Sequence, residues 1–182
     1  MNIPKVLVVY ATKYGQTRKI AERIADVVRG EGALVDLWKP GDDFPDIRRY
    51  NDVIVASPVY FGRHPSSVAR WVRQHRDWLP RLHTAFLSIS LTANSPSGHS
   101  EAMKAVASFI RATKWAPNVM RVFGGALPYT RYNPILRLVM RAIAKRHGGD
   151  TDTSRDYEYT NWDAVDAFAR AFVSRRPEKL AA

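Results

Sequence analysis

The stretch Lys5-Val-Leu-Val-Val-Tyr-Ala-Thr-Lys-Tyr-Gly-Gln-Thr-Arg18 decides how the rest of the chain is read. Its first six residues, Lys5 to Tyr10, form a short β-branched apolar run, the composition of a strand buried on both faces. From Thr17 to Glu31 the residues Ile20, Ile24, Val27 and Val28 recur at helical spacing, and Gly30 and Gly32 supply the stop. Between strand and helix lies Thr12-Lys13-Tyr14-Gly15-Gln16-Thr17. The first amides of a helix have no acceptor one turn back and the helix dipole is positive there, so a phosphate in such a loop meets both. The hydroxyls of Thr12 and Thr17 add neutral donors, and Gly15 lets the backbone approach closely. No Gly-Lys-Ser/Thr follows, so this is not a Walker loop, and it is not the G-x-G-x-x-G of a dinucleotide fold. An ordinary strand–helix turn with a threonine cap has the same spacing, and the loop alone leaves both readings open.

Working outward, Leu34 to Trp38 reads as a second strand, closed by Lys39-Pro40-Gly41-Asp42-Asp43, and Asp52 to Ala56 as a third, followed by turn residues to Pro65. Ser66 to Trp78 reads as a helix with Val68, Trp71, Val72 and Trp78 available to a core. Ala85 to Leu91 is a fourth strand, and Glu101 to Trp115 a helix with Met103, Val106, Ala107 and Ile110 on one face. Val119 to Leu127 is a fifth strand. Asn161 to Arg176 is a last helix turning Trp162, Val165, Phe168, Ala169 and Phe172 inward, with Thr160 as its N-cap and Asp163 three residues on. Strands alternating with helices predict an α/β fold, a doubly wound five-stranded parallel sheet crossed over on both faces. A phosphate loop after the first strand favours the flavodoxin-like order 2-1-3-4-5, with a ligand at the carboxyl edge beside the first and third strands. Residues 128–160 break the alternation and read as an insertion before the last helix. The expected organisation is one domain over residues 1–176, with 177–182 as a C-terminal tail.

Composition narrows the chemistry. Hydrophobic residues make up 46% and charged residues 25% of 182, an ordinary globular balance. The chain has no cysteine, which excludes disulfides, thiolate catalysis, iron–sulfur ligation and cysteine zinc sites. No basic region followed by an apolar run opens the sequence, and no apolar stretch approaches the about 20 residues that span a bilayer, so a soluble or peripheral protein is expected. The net charge of +11 is concentrated: residues 53–149 hold fourteen Lys/Arg against two acids, and Ala102 to Gly149 hold no acid. Such a field favours an anionic partner without choosing among nucleic acid, lipid and polycarboxylate. The five histidines have no metal-ligand spacing, so no metal is expected, and no G-x-S-x-G elbow is present. Nucleic-acid binding is not expected either, because the basic region lacks a reader motif.

The motif Thr12-x-x-Gly15-x-Thr17 resembles the flavodoxin signature for the phosphate of FMN, and Ser57-Pro-Val-Tyr-Phe-Gly62 resembles the second flavin loop of that family. Where flavodoxins usually carry a hydroxyl residue this chain has Tyr14. Within that superfamily the chain resembles the menaquinone-dependent protoporphyrinogen IX dehydrogenases, the flavodoxin-like enzymes of haem synthesis. The matching stretches are Tyr14-Gly-Gln-Thr-Arg18, Tyr60-x-Gly-x-x-x-Ser66, Gly125-Ala-Leu-x-Tyr-x-Arg-Tyr132, Gly148-Gly-x-Thr-Asp-Thr153 and Tyr159-Thr-x-Trp162. The first two are shared by many flavodoxins, whereas the last three lie in the insertion and weigh most.

The resemblance implies FMN as cofactor, with Thr12, Lys13, Tyr14, Gly15, Gln16 and Thr17 around its phosphate. It places Pro58, Val59, Tyr60, Phe61 and Gly62 along one flavin face and Leu91, Thr92, Ala93 and Asn94 along the other edge. Asp152 and Thr153 are expected to close the site, and Tyr60 to stack on the ring. The implied activity is oxidation of protoporphyrinogen IX with a membrane quinone as acceptor. The implied place is the cytoplasm, peripherally at the inner face of the cell membrane. No side chain is singled out as a catalytic acid or base. A flavodoxin-like electron carrier and an NAD(P)H:quinone reductase are the competing readings.

Two physical features bear on that choice. Lys13, Arg18, Arg63 and His64 flank the two loops, and nearby positive charge raises a flavin's potential, which suits a dehydrogenase better than a low-potential carrier. In the insertion, Pro134 to His147 reads as a helix with Ile135, Leu138, Val139, Ala142 and Ile143 on a broad apolar face. Arg137, Arg141 and Lys145 form a basic stripe at i, i+4 and i+8. Such a helix either packs on the domain or lies against an anionic membrane surface.

Overall fold

The computed structural model describes residues 3–41, 46–91, 93 and 95–174. Strands β1 (Lys5–Tyr10), β2 (Leu34–Trp38), β3 (Asp52–Pro58), β4 (His83–Ser90) and β5 (Val119–Gly124) form one parallel sheet in the order 2-1-3-4-5, as expected. The helices are α1 (Gln16–Gly30), α2 (Ser66–Gln74), α3 (Pro96–Thr113), α4 (Pro134–Arg146) and α5 (Trp162–Ser174). Side chains alternate across each strand, so one strand serves two cores. Val6 and Val8 meet Ile20, Ile24 and Val28 of α1 and Val165, Phe168 and Phe172 of α5. Leu7 and Val9 meet Val68, Trp71 and Val72 of α2 and Phe109 of α3. All five strands point the same way, so the loops after β1, β3, β4 and β5 collect at one edge.

Several local expectations need correction. Helix α3 starts at Pro96, where the Ser95 hydroxyl accepts from Gly98 N at 3.2 Å, five residues before the expected Glu101. Its buried face is Ala102, Ala105, Val106 and Phe109, while Met103 and Ala107 face solvent. Phe109 stacks on Phe86 of β4 with ring centroids 4.5 Å apart, and that aromatic pair selects the face. Trp78 lies beyond the end of α2 and is 38% exposed, its ring covered by the Arg81 guanidinium at 4.6 Å rather than by a core. Thr160 does not cap the last helix. Asn161 does, its Oδ1 accepting from Ala164 N at 3.0 Å, while the Thr160 hydroxyl donates to Gly124 O and accepts from Gln16 Nε2, each at 2.8 Å.

The expected fifth strand breaks at Gly125. The Gly125 amide donates to Ser90 O at 3.0 Å and its carbonyl accepts from Tyr159 N at 2.9 Å. A Cβ there would meet Ile89 at 3.4 Å and the Ser90–Leu91 backbone at 3.5 Å. The chain then leaves the sheet as β6 (Ala126–Leu127), which pairs antiparallel with β7 (Tyr157–Glu158). Between them the insertion builds a small third core. Leu127, Tyr129, Tyr132 and Ala144 pack with Tyr14, Leu91, Leu136, Met140, Tyr157 and Tyr159. Tyr129 is fully buried and donates to Asp150 O at 2.8 Å. Asn133 caps α4 through Leu136 N at 2.8 Å, with Pro134 as the first helical residue. Asp42, Asp43, Thr92, Asn94, the expected helix end at 175–176 and the expected tail 177–182 lie outside the described residues.

Candidate functional site

The loop after β1 has the geometry of an anion cradle. Gly15 is the N-cap of α1 with φ +100° and ψ −19°, a left-handed conformation that glycine enters without strain. It turns the chain so that the amides of Gln16, Thr17 and Arg18 open the helix with no carbonyl one turn back to receive them. The Thr12 hydroxyl accepts from Gly15 N at 2.9 Å and keeps its own hydrogen for a ligand. The Lys13 amide is held by the Tyr60 hydroxyl at 2.9 Å, which ties this loop to the one after β3.

The loop after β3 closes in a two-residue hairpin. Tyr60 and Arg63 exchange backbone hydrogen bonds of 2.9 and 3.1 Å around Phe61 (φ +49°) and Gly62 (φ +75°). Positive φ at both central residues is the signature of a tight I′ turn. Gly62 accommodates it freely, whereas Phe61 is strained there and is 72% exposed.

These loops line a cleft in two adjoining parts. The smaller, about 310 Å³, is walled by Thr12, Gln16, Thr17 and Pro58 on one side and by Gly125, Arg131, Asp156 and Glu158 on the other. The larger, about 540 Å³, is walled by Phe61 and Gly62 of the second loop and by Leu136, Met140 and Ile143 of α4. Tyr14, Val59, Tyr60, Leu91, Tyr132 and Met140 belong to both. Tyr14 meets Tyr132 edge to face at 4.9 Å and Tyr60 at 6.5 Å. Burial pushes the Tyr60 and Tyr132 hydroxyls above the ordinary tyrosine range, so both are neutral. A phosphate cradle beside a larger apolar slot fits a ligand with a terminal phosphate and a flat ring system.

Of the residues expected at the site, Thr12, Lys13, Tyr14, Gln16, Thr17, Pro58, Val59, Tyr60, Phe61, Gly62 and Leu91 line the cleft. Gly15 does not line it and shapes the loop through its left-handed turn. Ala93 is buried without lining it, and Thr92 and Asn94 lie outside the described residues. Asp152 and Thr153 do not line it. The Asp152 carboxylate accepts from Ser154 N and Oγ and sits 3.5 Å from Arg155, while Asp156, Tyr157 and Glu158 stand where the closing residues were expected. Arg131, Tyr132, Leu136, Met140, Ile143, Arg146, Asp156 and Glu158 had not been foreseen. Among them Arg131 and Tyr132 had a sequence signal, the Tyr-x-Arg-Tyr run ending at Tyr132.

The electrostatics also differ from expectation. His64 adds no positive charge. Its ring sits edge-on to Phe86 and Phe109, and Nδ1 lies 3.1 Å from both Pro58 O and Ser57 Oγ. A carbonyl only accepts, so Nδ1 carries the hydrogen and Nε2 is bare. Burial pulls its pKa down to about 4, and the imidazole is neutral near pH 7. Arg18 is paired with Glu22 at 2.7 Å, leaving Lys13 and Arg63 as the cations flanking the loops. At the larger cavity the cations are Lys13 and Arg146, and Glu101 lies 3.6 Å from His147.

The apolar face of α4 is split. Leu136, Met140 and Ile143 turn into the cleft, while Ile135 and Leu138 are 79% and 68% exposed, with Val139 beside them. Arg137 leaves the basic stripe, because its guanidinium donates to Tyr129 O at 3.1 Å and Tyr132 O at 3.2 Å. Arg141 and Lys145 remain exposed. Among the described residues no helix is long and apolar enough to cross a membrane, and no group of three metal-ligating side chains converges.

Comparison with known proteins matches residues 7–154 to the flavodoxin domain family. The protoporphyrinogen IX dehydrogenase [quinone] of Escherichia coli strain K12 is 31% identical over 168 residues, 91% of this chain and 93% of that protein. The Leishmania major protein of the same name is 31% identical over 176 residues, 94% of this chain and 75% of that protein. Among solved structures, a Streptococcus pneumoniae flavodoxin superposes with a TM-score of 0.55 at 16% identity, covering 94% of this chain and 99% of that one.

Proposed function

The chain belongs to the flavodoxin family, and from that premise we propose that it is an FMN-dependent oxidoreductase that dehydrogenates protoporphyrinogen IX and delivers the electrons to a membrane quinone. The observation that carries the reading is the apolar cavity of about 540 Å³ that opens beside the phosphate cradle under the insertion helix α4. A porphyrinogen is a large apolar ring bearing two carboxylates, and this cavity has apolar walls with Lys13 and Arg146 among its lining. The full-length similarity to two dehydrogenases of that name supports the same substrate.

Thr12, Gly15, Gln16 and Thr17 would hold the terminal phosphate, and Val59 to Gly62 with Leu91 would border the ring. Bound there, FMN supplies the electron-accepting chemistry. The protein's share is placement, exclusion of water and tuning of potential. Leu136, Met140 and Ile143 roof the larger cavity and keep it apolar. Lys13 and Arg63 place positive charge by the loops, which favours the reduced state of a flavin and raises its potential. A quinone acceptor is dissolved in the bilayer. The exposed Ile135, Leu138 and Val139, flanked by Arg141 and Lys145, support peripheral contact with an anionic membrane at the inner face of the cell membrane.

The test is anaerobic turnover of the purified, flavin-loaded protein, with protoporphyrinogen IX and NADPH offered separately as donors and a quinone as acceptor. Porphyrin formation that requires quinone and ignores NADPH is the expected result. NADPH oxidation without porphyrin formation would replace the reading with a quinone reductase. Reduction with neither donor would leave an electron carrier.

A further inference from the structure

Arg131 ends the short 3₁₀ turn Tyr129–Arg131 at the start of the insertion, yet its guanidinium lies on the loop after β1. Nη1 donates to the Tyr14 carbonyl at 2.8 Å, and a Cβ built on Gly15 would sit 3.5 Å from that same nitrogen. The side chain lines the smaller part of the cleft together with Thr12, Gln16 and Thr17. One of its N–H groups is engaged by the carbonyl, and a guanidinium has five.

The charges around it give this position its meaning. Lys13 lines the larger part of the cleft and not this one, so here the loop itself brings neutral donors, Tyr14 brings a ring rather than a hydroxyl, and the amides of Lys13 and Gly15 already have acceptors. Two carboxylates, Asp156 and Glu158, line the same space. Glu158 is balanced by Lys19 at 3.2 Å, and Asp156 accepts from Thr130 N and Oγ1, each at 2.9 Å. Of the two cations that line this part of the cleft among the described residues, Lys19 is thus committed to a carboxylate, whereas Arg131 is bound to a neutral carbonyl. A phosphate dianion between two carboxylates needs a cation, and the planar fork of a guanidinium matches phosphate oxygens.

We propose that Arg131 is a phosphate-binding residue, through which the insertion completes the cradle for the terminal phosphate of the flavin. The proposal rests on the FMN reading above. It makes the insertion a direct participant in cofactor binding as well as a roof over the cleft.

The experiment compares FMN with riboflavin, which has the same ring and ribityl chain but no phosphate, on the full chain freed of flavin. Affinities are measured for the unaltered protein, Arg131→Gln and Arg131→Lys. Arg131→Gln is expected to weaken FMN about 10- to 100-fold, the range of a charge-assisted bond, and to leave riboflavin affinity within about twofold. Arg131→Lys should recover part of the loss, because it restores the charge without the fork. Retained riboflavin binding is the control for an intact fold. Equal weakening of both flavins would overturn the proposal and reduce Arg131 to a brace for the Tyr14 carbonyl. Unchanged FMN affinity in Arg131→Gln would overturn it outright while the FMN reading stands. If the unaltered protein binds neither flavin, the FMN reading falls and the proposal with it.

Discussion

Acidification from about pH 7 to about pH 5 is expected to remove about 2 kcal/mol of stability through one side chain, His64. The structure holds this imidazole neutral, with Nδ1–H on Pro58 O and bare Nε2 buried without a partner among the described residues. Protonation would bury a charged N–H with no acceptor beside the rings of Phe86 and Phe109. The folded pKa of about 4 lies below the ordinary 6.5, so the contribution is complete above about pH 6.5 and is lost as pH falls towards 4. At about 1.36 kcal/mol per unit the whole window is worth about 3 kcal/mol, of which about 2 has gone by pH 5. Because Pro58 opens the loop proposed to border the flavin, FMN affinity should fall over the same range. The assay is urea unfolding at stepped pH for the unaltered protein and His64→Gln, with the imidazole titrated separately by NMR. The variant's profile should be flatter by about 2 kcal/mol between those two pH values. An imidazole that titrates near 6.5, or parallel profiles for the two proteins, would refute the reasoning.

Three further outcomes are expected. Gly15→Val forces a β-branched residue to φ +100° beside the Arg131 guanidinium, and should weaken FMN at least about tenfold while circular dichroism stays unchanged. Unaltered FMN affinity would place the phosphate elsewhere. Tyr129→Phe removes the bond to Asp150 O inside the insertion core and should cost about 1 kcal/mol in urea unfolding; no cost would mean that this bond does not hold the insertion together. Replacing Ile135 and Leu138 together by Ser should cut binding to anionic vesicles at least about tenfold and slow turnover with a bilayer quinone but not with a soluble analogue. Equal loss with both acceptors would assign these residues to local structure instead.

The parallel sheet was legible because its strands are short β-branched runs and its helices carry their apolar residues at helical spacing, so local pattern and buried face agree in β1, α1 and α5. The loop from Thr12 to Thr17 was legible for a similar reason, since strand, glycine turn and helix start are contiguous. What stayed hidden depends on contacts between distant residues. Arg131 reaches Tyr14 across 117 positions, so the Tyr-x-Arg-Tyr run marks the residue without telling which loop its guanidinium meets. The broad apolar face of α4 reads as one surface, but packing against the small core of Leu127, Tyr129 and Tyr132 divides it, taking Leu136 and Met140 in and leaving Ile135 and Leu138 out. His64 reads as a loop cation, and only its placement against Phe86 and Phe109 makes it a buried neutral base. Thr160 and Asn161 are both competent caps. The choice fell to Asn161 because the Thr160 hydroxyl is engaged by Gly124 and Gln16.

The central claim is that a flavin in this cleft takes electrons from a porphyrinogen and gives them to a quinone. It is tested most directly by following the visible absorbance of the bound flavin through the two half-reactions under strict anaerobiosis. Protoporphyrinogen IX should bleach the flavin while porphyrin appears, NADPH should leave it oxidised, and a quinone added afterwards should restore the colour. A flavin that NADPH bleaches and protoporphyrinogen IX does not would contradict the account.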